Sequence, residues 1–178
     1  LVFTEKIISK KYPIASRKIL HIITGNIAFL LPIFQTREIM AFLAAGPFIL
    51  LTFLMSPHSP IKSIRSKTSV SGHGLGLVYY SIAWTILAYI FFDFKVAIAI
   101  GILAMSYGDG LASFIGIKFG RKKYQIFSDE KSYVGSIAMF VFTFIMMIVA
   151  LLFYEVAITS RILVILAIIA LAATVVEA

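Results

Sequence analysis

The residue with the clearest chemical potential is Asp109, which stands between two glycines in Ser106-Tyr-Gly-Asp-Gly110. The run from Val96 to Ile117 around it is otherwise almost entirely apolar. A carboxylate inside a membrane costs roughly 2.5 to 3.5 kcal/mol on insertion scales, so it is normally kept where a cation, proton path or substrate uses it. We expect Asp109 to mark a functional site; a proton or ion pathway and a structural, hydrogen-bonded acid are the alternatives.

Cations and a second carboxylate can join this residue. Lys118 to Lys123 form a basic stretch, Glu130-Lys131-Ser132 precede the next apolar run, and Glu177 ends the last one. Phosphoryl and nucleotidyl transfer need such groups, because the protein mainly positions the reactants and neutralises phosphate charge. Asp109 and Glu177 are therefore candidate Mg²⁺ ligands, with water and phosphate oxygens completing the shell. The candidate phosphate-binding loop residues are Arg121, Lys122, Lys123 and Lys131.

Polar residues on two apolar runs point to the same end of the bundle. Arg17 and His21 are four positions apart and share one helical side, next to Lys18. His21 has an equally plain alternative, a hydrogen bond across helices. Asp109 belongs to a row at three- and four-residue spacing, which predicts one helical stripe. The row consists of Ser106, Asp109, Ser113 and Gly116.

The elements that must position these residues are membrane helices. Hydrophobic residues make up 61% of the 178 positions, which places the chain in the polytopic membrane class. About 20 apolar residues cross the hydrocarbon layer, and backbone groups in lipid must pair internally, so the spans are predicted as helices. We predict an all-α, polytopic integral membrane helical bundle that forms a single domain over residues 1–178. The six predicted spans are 18–34, 38–55, 74–92, 96–117, 134–154 and 160–177.

The first 16 residues mix lysines with apolar side chains, which predicts an interfacial helix or the end of an upstream span. Both ends are expected to be trimmed, and one further span beyond an end is compatible with the pattern.

The basic residues fix the predicted orientation. Of the 16 lysines and arginines, only Arg37, Lys95 and Arg161 lie outside the N-terminal segment and the two long loops, 56–73 and 118–133. The positive-inside rule therefore places those regions, and the candidate active site, in the cytoplasm. A net charge of +8 concentrated on one face attracts anionic membrane lipids or a polyanion such as a nucleotide triphosphate. Nucleic acid is not expected, because the basic clusters lack aromatic interleaving or a folded module.

Other site classes are excluded by the residues present. The chain has no cysteine, which removes thiolate catalysis and cysteine-based metal sites. It has no phosphate-loop sequence, and Gly72-His-Gly-Leu-Gly76 precedes a predicted membrane helix rather than following a strand.

Four sequence blocks, in their order and spacing, resemble the family of CTP-dependent lipid-alcohol kinases, which contains phytol, farnesol and dolichol kinases and a CTP-dependent diacylglycerol kinase. The similarity covers nearly the whole chain. The blocks are Arg17-Lys18-Ile-Leu-His21 with Gly25 and Pro32, Gly108-Asp109-Gly-Leu-Ala-Ser-Phe-Ile-Gly116 with Gly120, Glu130-Lys131-Ser132 with Gly135-Ser136, and Ala173-Thr-Val-Val-Glu177.

The resemblance implies transfer of the CTP γ-phosphate to a long-chain isoprenoid alcohol, with Mg²⁺, at a cytoplasm-facing site. It implies a nucleotide-metal role for Asp109 and phosphate contacts for Lys131 and the 121–123 cluster. We expect Asp109, Lys131 and His21 to be the catalytic residues. The remaining nucleotide-binding candidates are Arg17, Lys18, Gly108, Gly110 and Ser132.

Two other functions use the same residues. A membrane cytidylyltransferase that forms a CDP-lipid differs mainly in which phosphorus is attacked. A transporter would bind a cation near Asp109 on a broken helix, although the chain shows no inverted repeat. We also keep a homo-oligomer as an open hypothesis.

Overall fold

The computed structural model describes residues 18–19, 22–61, 75–126 and 129–177. These residues form two compact units, and one of the boundaries between them, at Ile98 and Ala99, falls inside a helix. The first unit contains the described residues within 1–20 and 30–98, and the second contains those within 21–29 and 99–178. The predicted interfacial helix over 1–16, the loop 62–74, Arg17 and His21 lie outside the described residues.

The first unit is a helical hairpin. It contains a 3-10 turn Leu31–Ile33, a π-helical segment Ile39–Ala45, helix α1 (Gly46–Met55), helix α2 (Gly76–Ile90), a 3-10 turn Phe92–Phe94 and the start of helix α3 (Lys95–Leu103). Pro47 has no N–H, so the first turn of α1 suits it. α1 packs against α2, where the hydroxyls of Thr52 and Ser81 lie 3.3 Å apart.

The second unit is built around one long helix, α5 (Tyr133–Phe153). α5 packs against the π-helical segment Ala104–Asp109, against helix α4 (Gly110–Phe119) and against helix α6 (Ser160–Glu177). One cluster of its buried core consists of Ala112, Ala138 and Met139. The other elements of the unit are a 3-10 turn Asn26–Phe29, the π-helical segment Ala104–Asp109, α4 (Gly110–Phe119), strand β1 (Lys123–Ile126), strand β2 (Asp129–Ser132) and α6 (Ser160–Glu177).

Three helices within the described ranges are long and apolar enough to cross a membrane. They are Phe92–Phe119 with 28 residues, Tyr133–Phe153 with 21 and Ser160–Glu177 with 18. Their bounds lie within about four residues of the last three predicted spans. The outer surface of α6 is apolar, with Val164 and Ile168 about 60% exposed, as expected for a helix in lipid. The protein is therefore mainly helical, and a membrane bundle fits it.

Six spans are not confirmed. The second and third predicted windows contain the apolar helices Ile39–Met55 and Val78–Ile90, which are shorter. In the first window, the described part from residue 22 onward consists of a helical turn followed by 3-10 turns that end at Ile33. Pro32 lies at the start of the last 3-10 turn, where its missing N–H is tolerated, but it cannot continue a regular α-helix from the preceding turn.

The prediction of an all-α fold missed one β-hairpin, which is called the hairpin below. β1 and β2 pair antiparallel between α4 and α5, with Lys123 opposite Ser132 and Tyr124 opposite Lys131. This segment is too polar for the hydrocarbon layer, so its backbone groups need not pair within a helix there. Tyr124 and Ile126 alternate with polar neighbours, which suits a short strand.

Candidate functional site

Asp109 lies at a change of helix type. It is the last residue of the π-helical segment Ala104–Asp109, and α4 begins at Gly110. Gly110 has φ −56° and ψ −56°, and its N–H bonds to the carbonyls of Ser106 and Tyr107, so the glycine does not unwind the helix. Asp109 itself is half-buried. π-Helical turns inside longer helices are frequent at functional sites, and this one is located at the predicted acid.

Gly108 allows this segment to approach α5 closely. A Cβ atom at Gly108 would collide with the hydroxyl of Thr143 and lie 3.1 Å from the sulfur of Met139. Gly108 and Thr143 are both buried. In the structure the glycine therefore has a packing role, and its predicted contact with a nucleotide stays a prediction.

The other side of the π-helical segment contacts the 3-10 turn Asn26–Phe29 and the residue before it. The hydroxyl of Tyr107 donates to Asn26 Oδ1 at 2.9 Å. A Cβ at Gly25 would collide with Ser106, whose fully buried hydroxyl has no hydrogen-bond partner among the described residues. The hydroxyl of Tyr154, which follows α5, donates to the carbonyl of Ala28 at 2.7 Å. These contacts hold the Asp109 segment in place from both sides.

The hairpin is fixed at its base by Ser132. This residue is extended and caps α5, its hydroxyl accepting from the N–H of Gly135 at 3.0 Å. A Cβ at Gly116 would lie 2.9 Å from that hydroxyl, and a Cβ at Gly120 would lie 2.5 Å from it. Ser132 was predicted as a nucleotide ligand, and the structure shows it joining the hairpin to the end of α4.

Two predicted site residues meet at the end of α6. Lys131 Nζ on β2 lies 2.9 Å from Glu177 Oε1, with the two side chains 31% and 47% exposed. α6 also packs against the π-helical segment that ends at Asp109. The hairpin, the end of α6 and the Asp109 segment therefore belong to one compact unit.

A second ion pair lies on the opposite face of the hairpin. Lys123 Nζ lies 2.9 Å from Glu130 Oε2, and both side chains are more than half exposed. Arg121 and Lys122 are exposed just before β1, and Lys118 is exposed in the last turn of α4. The cations predicted to hold phosphate are thus accessible at this end of the unit.

Two tyrosines of the hairpin region were missed as site candidates. The rings of Tyr124 and Tyr133 have centroids 4.8 Å apart, and the hydroxyl of Tyr124 is hydrogen-bonded to that of Ser136. The alternation of Tyr124 with polar residues was the signal that could have revealed the strand, and with it this pair.

The roles of the N-terminal candidates, Arg17, Lys18 and His21, are not tested by the structure. Lys18 belongs to the first unit, whereas Asp109, Lys131 and Glu177 belong to the second. Arg17 and His21 lie outside the described residues, so their roles stay predictions.

The carboxylates suit Mg²⁺ better than a metal held by protein alone. In the described part of the chain, no three histidine, aspartate or glutamate side chains cluster as a metal site. Mg²⁺ commonly takes one or two carboxylates and fills its octahedron with water and phosphate oxygens. Asp109 and Glu177 lie on elements that pack against each other, and their role as Mg²⁺ ligands stays a prediction.

Comparison with known proteins points to one group. No protein-family model matches the chain, and no solved structure matches it. A phytol kinase of Synechocystis is 34% identical over 138 residues, covering 76% of this chain and 58% of that protein. Phytol kinase 1, chloroplastic, of Arabidopsis thaliana is 34% identical over 149 residues, covering 79% and 49%. A probable phytol kinase 1, chloroplastic, of Oryza sativa is 31% identical over 177 residues, covering 91% and 56%.

The chain spans about half the length of the curated relatives it matches. The matched part nevertheless takes in most of this chain, and the relatives come from cyanobacteria and plants alike. The chain is thus a homologue of the phytol kinases, and the resemblance to the lipid-alcohol kinase family is confirmed.

Proposed function

We propose that this chain is the catalytic part of a CTP-dependent kinase that phosphorylates a membrane isoprenoid alcohol. Phytol is the first substrate to test, because the relatives are named phytol kinases. Geranylgeraniol, polyprenol and dolichol are the related alcohols. The reaction moves the γ-phosphoryl group from the nucleotide to the alcohol oxygen, and the alcohol proton leaves with a base.

The observation that carries this proposal is the ion pair between Lys131 on β2 and Glu177 at the end of α6, a helix that also packs against the π-helical segment ending at Asp109. A cation and two carboxylates within one compact unit match the requirements of phosphoryl transfer, since positioning and charge neutralisation supply most of the rate. The exposed cations of the hairpin region add further phosphate contacts.

Each residue then has a role. Asp109 and Glu177 would hold Mg²⁺, which would neutralise charge on the phosphate oxygens. Lys131 would bind the phosphates and stabilise the charge that develops during transfer. The Arg121 to Lys123 stretch would orient the rest of the triphosphate. His21 is the remaining catalytic candidate and Lys18 a nucleotide-binding candidate, both proposed from the sequence alone.

The two substrates would arrive from different sides. The long helices of the second unit expose apolar side chains, such as Val164 and Ile168, along which an alcohol dissolved in the bilayer can approach. The hairpin is polar and basic, and the positive-inside rule places it in the cytoplasm, where CTP is available. The active site would lie where the apolar surface of the long helices meets the polar β-hairpin.

The experiment uses the full-length protein, purified and reconstituted in lipid nanodiscs with Mg²⁺. Incubation with γ-labelled CTP and phytol should produce labelled phytyl phosphate and CDP. Release of pyrophosphate with phosphatidate as acceptor would indicate a CDP-lipid synthase instead. Cation uptake by proteoliposomes, with no turnover of CTP, would indicate a transporter. Either result without labelled phytyl phosphate would overturn the proposal.

A further inference from the structure

The two tyrosines of the hairpin region lie beside the proposed phosphate-binding lysine. Tyr124 pairs directly with Lys131 across the two strands, so both side chains lie on the same face of the hairpin. The ring of Tyr133, the first residue of α5, meets the ring of Tyr124 at a centroid distance of 4.8 Å and an angle of 48°. An aromatic surface therefore adjoins the Lys131–Glu177 ion pair.

This surface is held in a fixed position. The hydroxyl of Tyr124 is hydrogen-bonded to that of Ser136, one turn into α5. The backbone N–H of Tyr133 donates to the carbonyl of Lys122 at 3.3 Å, which extends the hairpin pairing by one step. Tyr133 is nevertheless 56% exposed, and Tyr124 is partly exposed. A rigid aromatic group with an open face loses little conformational entropy when a ligand stacks on it.

The charges around the rings indicate which kind of molecule would stack there. Lys122 and Lys131 adjoin the tyrosines, and Arg121 is exposed just before them. A nucleotide combines a flat ring with a polyanionic tail, so it can use the aromatic face and the cations together. The isoprenoid alcohol has neither an aromatic ring nor a negative charge, and its chain stays in the bilayer.

We propose that Tyr124 and Tyr133 form the binding surface for the nucleobase of the triphosphate donor. This inference rests on the proposed function, because it assumes that a nucleotide is the donor. The base stacks on the exposed ring of Tyr133 while its phosphates extend toward Lys131. Tyr124 acts as a positioning residue that holds Tyr133, and Ser136 in turn anchors Tyr124. Interfacial tyrosines also anchor membrane proteins at the headgroup level, and the test separates that outcome.

Binding is measured by calorimetry on the full-length protein in nanodiscs with Mg²⁺ and without any alcohol. CTP is compared with inorganic triphosphate, which carries the phosphates but no base. The unsubstituted protein should bind CTP more tightly. Tyr133→Leu should lower CTP affinity by at least about fivefold, the equivalent of about 1 kcal/mol for one stacked base, and leave triphosphate binding unchanged. Tyr133→Phe should retain the preference, because the ring remains.

The matched control is Tyr79→Leu on α2, a tyrosine that is 64% exposed and lies in the first unit. It should change neither affinity. Three results would overturn the inference: no preference for CTP in the unsubstituted protein, equal weakening of both ligands in Tyr133→Leu, or unchanged CTP binding in that variant. The last result, together with weaker partitioning into membranes, would assign Tyr133 to interfacial anchoring.

The assay also separates this inference from the proposed function. If Tyr133→Leu abolishes the preference for CTP but the protein never phosphorylates an alcohol, the nucleobase-binding surface is supported and the kinase function is refuted. If the protein phosphorylates phytol and the Tyr133→Leu variant binds CTP normally, the kinase function is supported and the nucleobase-binding surface is refuted.

Discussion

The ammonium of Lys131 and the carboxylate of Glu177 lie 2.9 Å apart, although 46 positions separate the residues in the sequence. Exposed ion pairs of this kind contribute only about 0 to 1 kcal/mol to stability, because solvent screens them. The pair is therefore a weak source of folding energy. Its value is chemical, since each partner is the group that a nucleotide or its metal ion would contact.

Lys131→Ala should lower the catalytic efficiency of the enzyme with CTP and change the stability of the fold little. We expect a higher KM for CTP, a lower kcat or both, depending on whether the contact exists in the ground state or only in the transition state. Steady-state kinetics at varied CTP measures this, and thermal unfolding in nanodiscs checks the fold. Arg161→Ala, an exposed residue in the first turn of α6, is the control and should leave both unchanged. An unaltered CTP profile in Lys131→Ala would remove this residue from the site.

Asp109→Asn should keep the fold and abolish phosphoryl transfer. The amide preserves the shape of the side chain and loses the charge that holds the metal. Labelled product formation measures activity, and circular dichroism measures helix content. The matched control is Asp93→Asn, an exposed carboxylate that lies 3.4 Å from Arg37 in the first unit, and it should stay active. Near-normal turnover of Asp109→Asn would contradict the assigned role.

Glu177→Gln should produce two opposite effects. Lys131 loses its counter-charge, so binding of metal-free CTP should become tighter, whereas turnover should fall and require more Mg²⁺. Calorimetry in the presence of a chelator gives the first quantity, and a Mg²⁺ titration of the rate gives the second.

The control for this pair is Glu130→Gln, which frees Lys123 on the other face of the hairpin. It should leave the Mg²⁺ requirement unchanged. If Glu177→Gln weakens CTP equally with and without metal, the carboxylate only positions Lys131 and does not bind the ion.

Gly120→Ala should displace the hairpin. The added methyl group would collide with the carbonyl of Gly116 and lie 2.5 Å from the Ser132 hydroxyl. Backbone cannot move aside cheaply, so we expect a loss of about 1 to 3 kcal/mol in stability and a higher KM for CTP. Thermal unfolding and CTP kinetics measure these effects.

Gly101→Ala serves as the control for that substitution, since a Cβ there meets nothing within 4 Å. It lies inside α3 and should be neutral or stabilising by up to about 1 kcal/mol. Equal behaviour of the two alanine variants would show that the hairpin tolerates the collision.

The long spans and the place of Asp109 could be predicted from the sequence. An uninterrupted apolar run bounded by charges fixes a helix by itself, so α5 and α6 begin and end close to the predicted residues. The β-hairpin was missed, because each strand has only four residues and the alternation around Tyr124 is a weak signal in a loop dominated by charge. The pairing of Lys131 with Glu177 and the approach of Gly108 to Thr143 depend on how helices pack, which local periodicity does not encode.

The π-helical segment that ends at Asp109 also changes the phase between the helical turns on its two sides. Such a turn accommodates one residue more than an α-helical turn, and each residue of an α-helix advances by about 100°. Ser106 and Ser113, which an uninterrupted helix would align with Asp109, are therefore out of phase with each other. Deleting one residue between Ala104 and Gly108 would remove the extra residue, close the wide turn and bring the two serines back into the phase of a regular helix. The wide turn thus separates Asp109 from the row of small polar residues that a regular helix would give it.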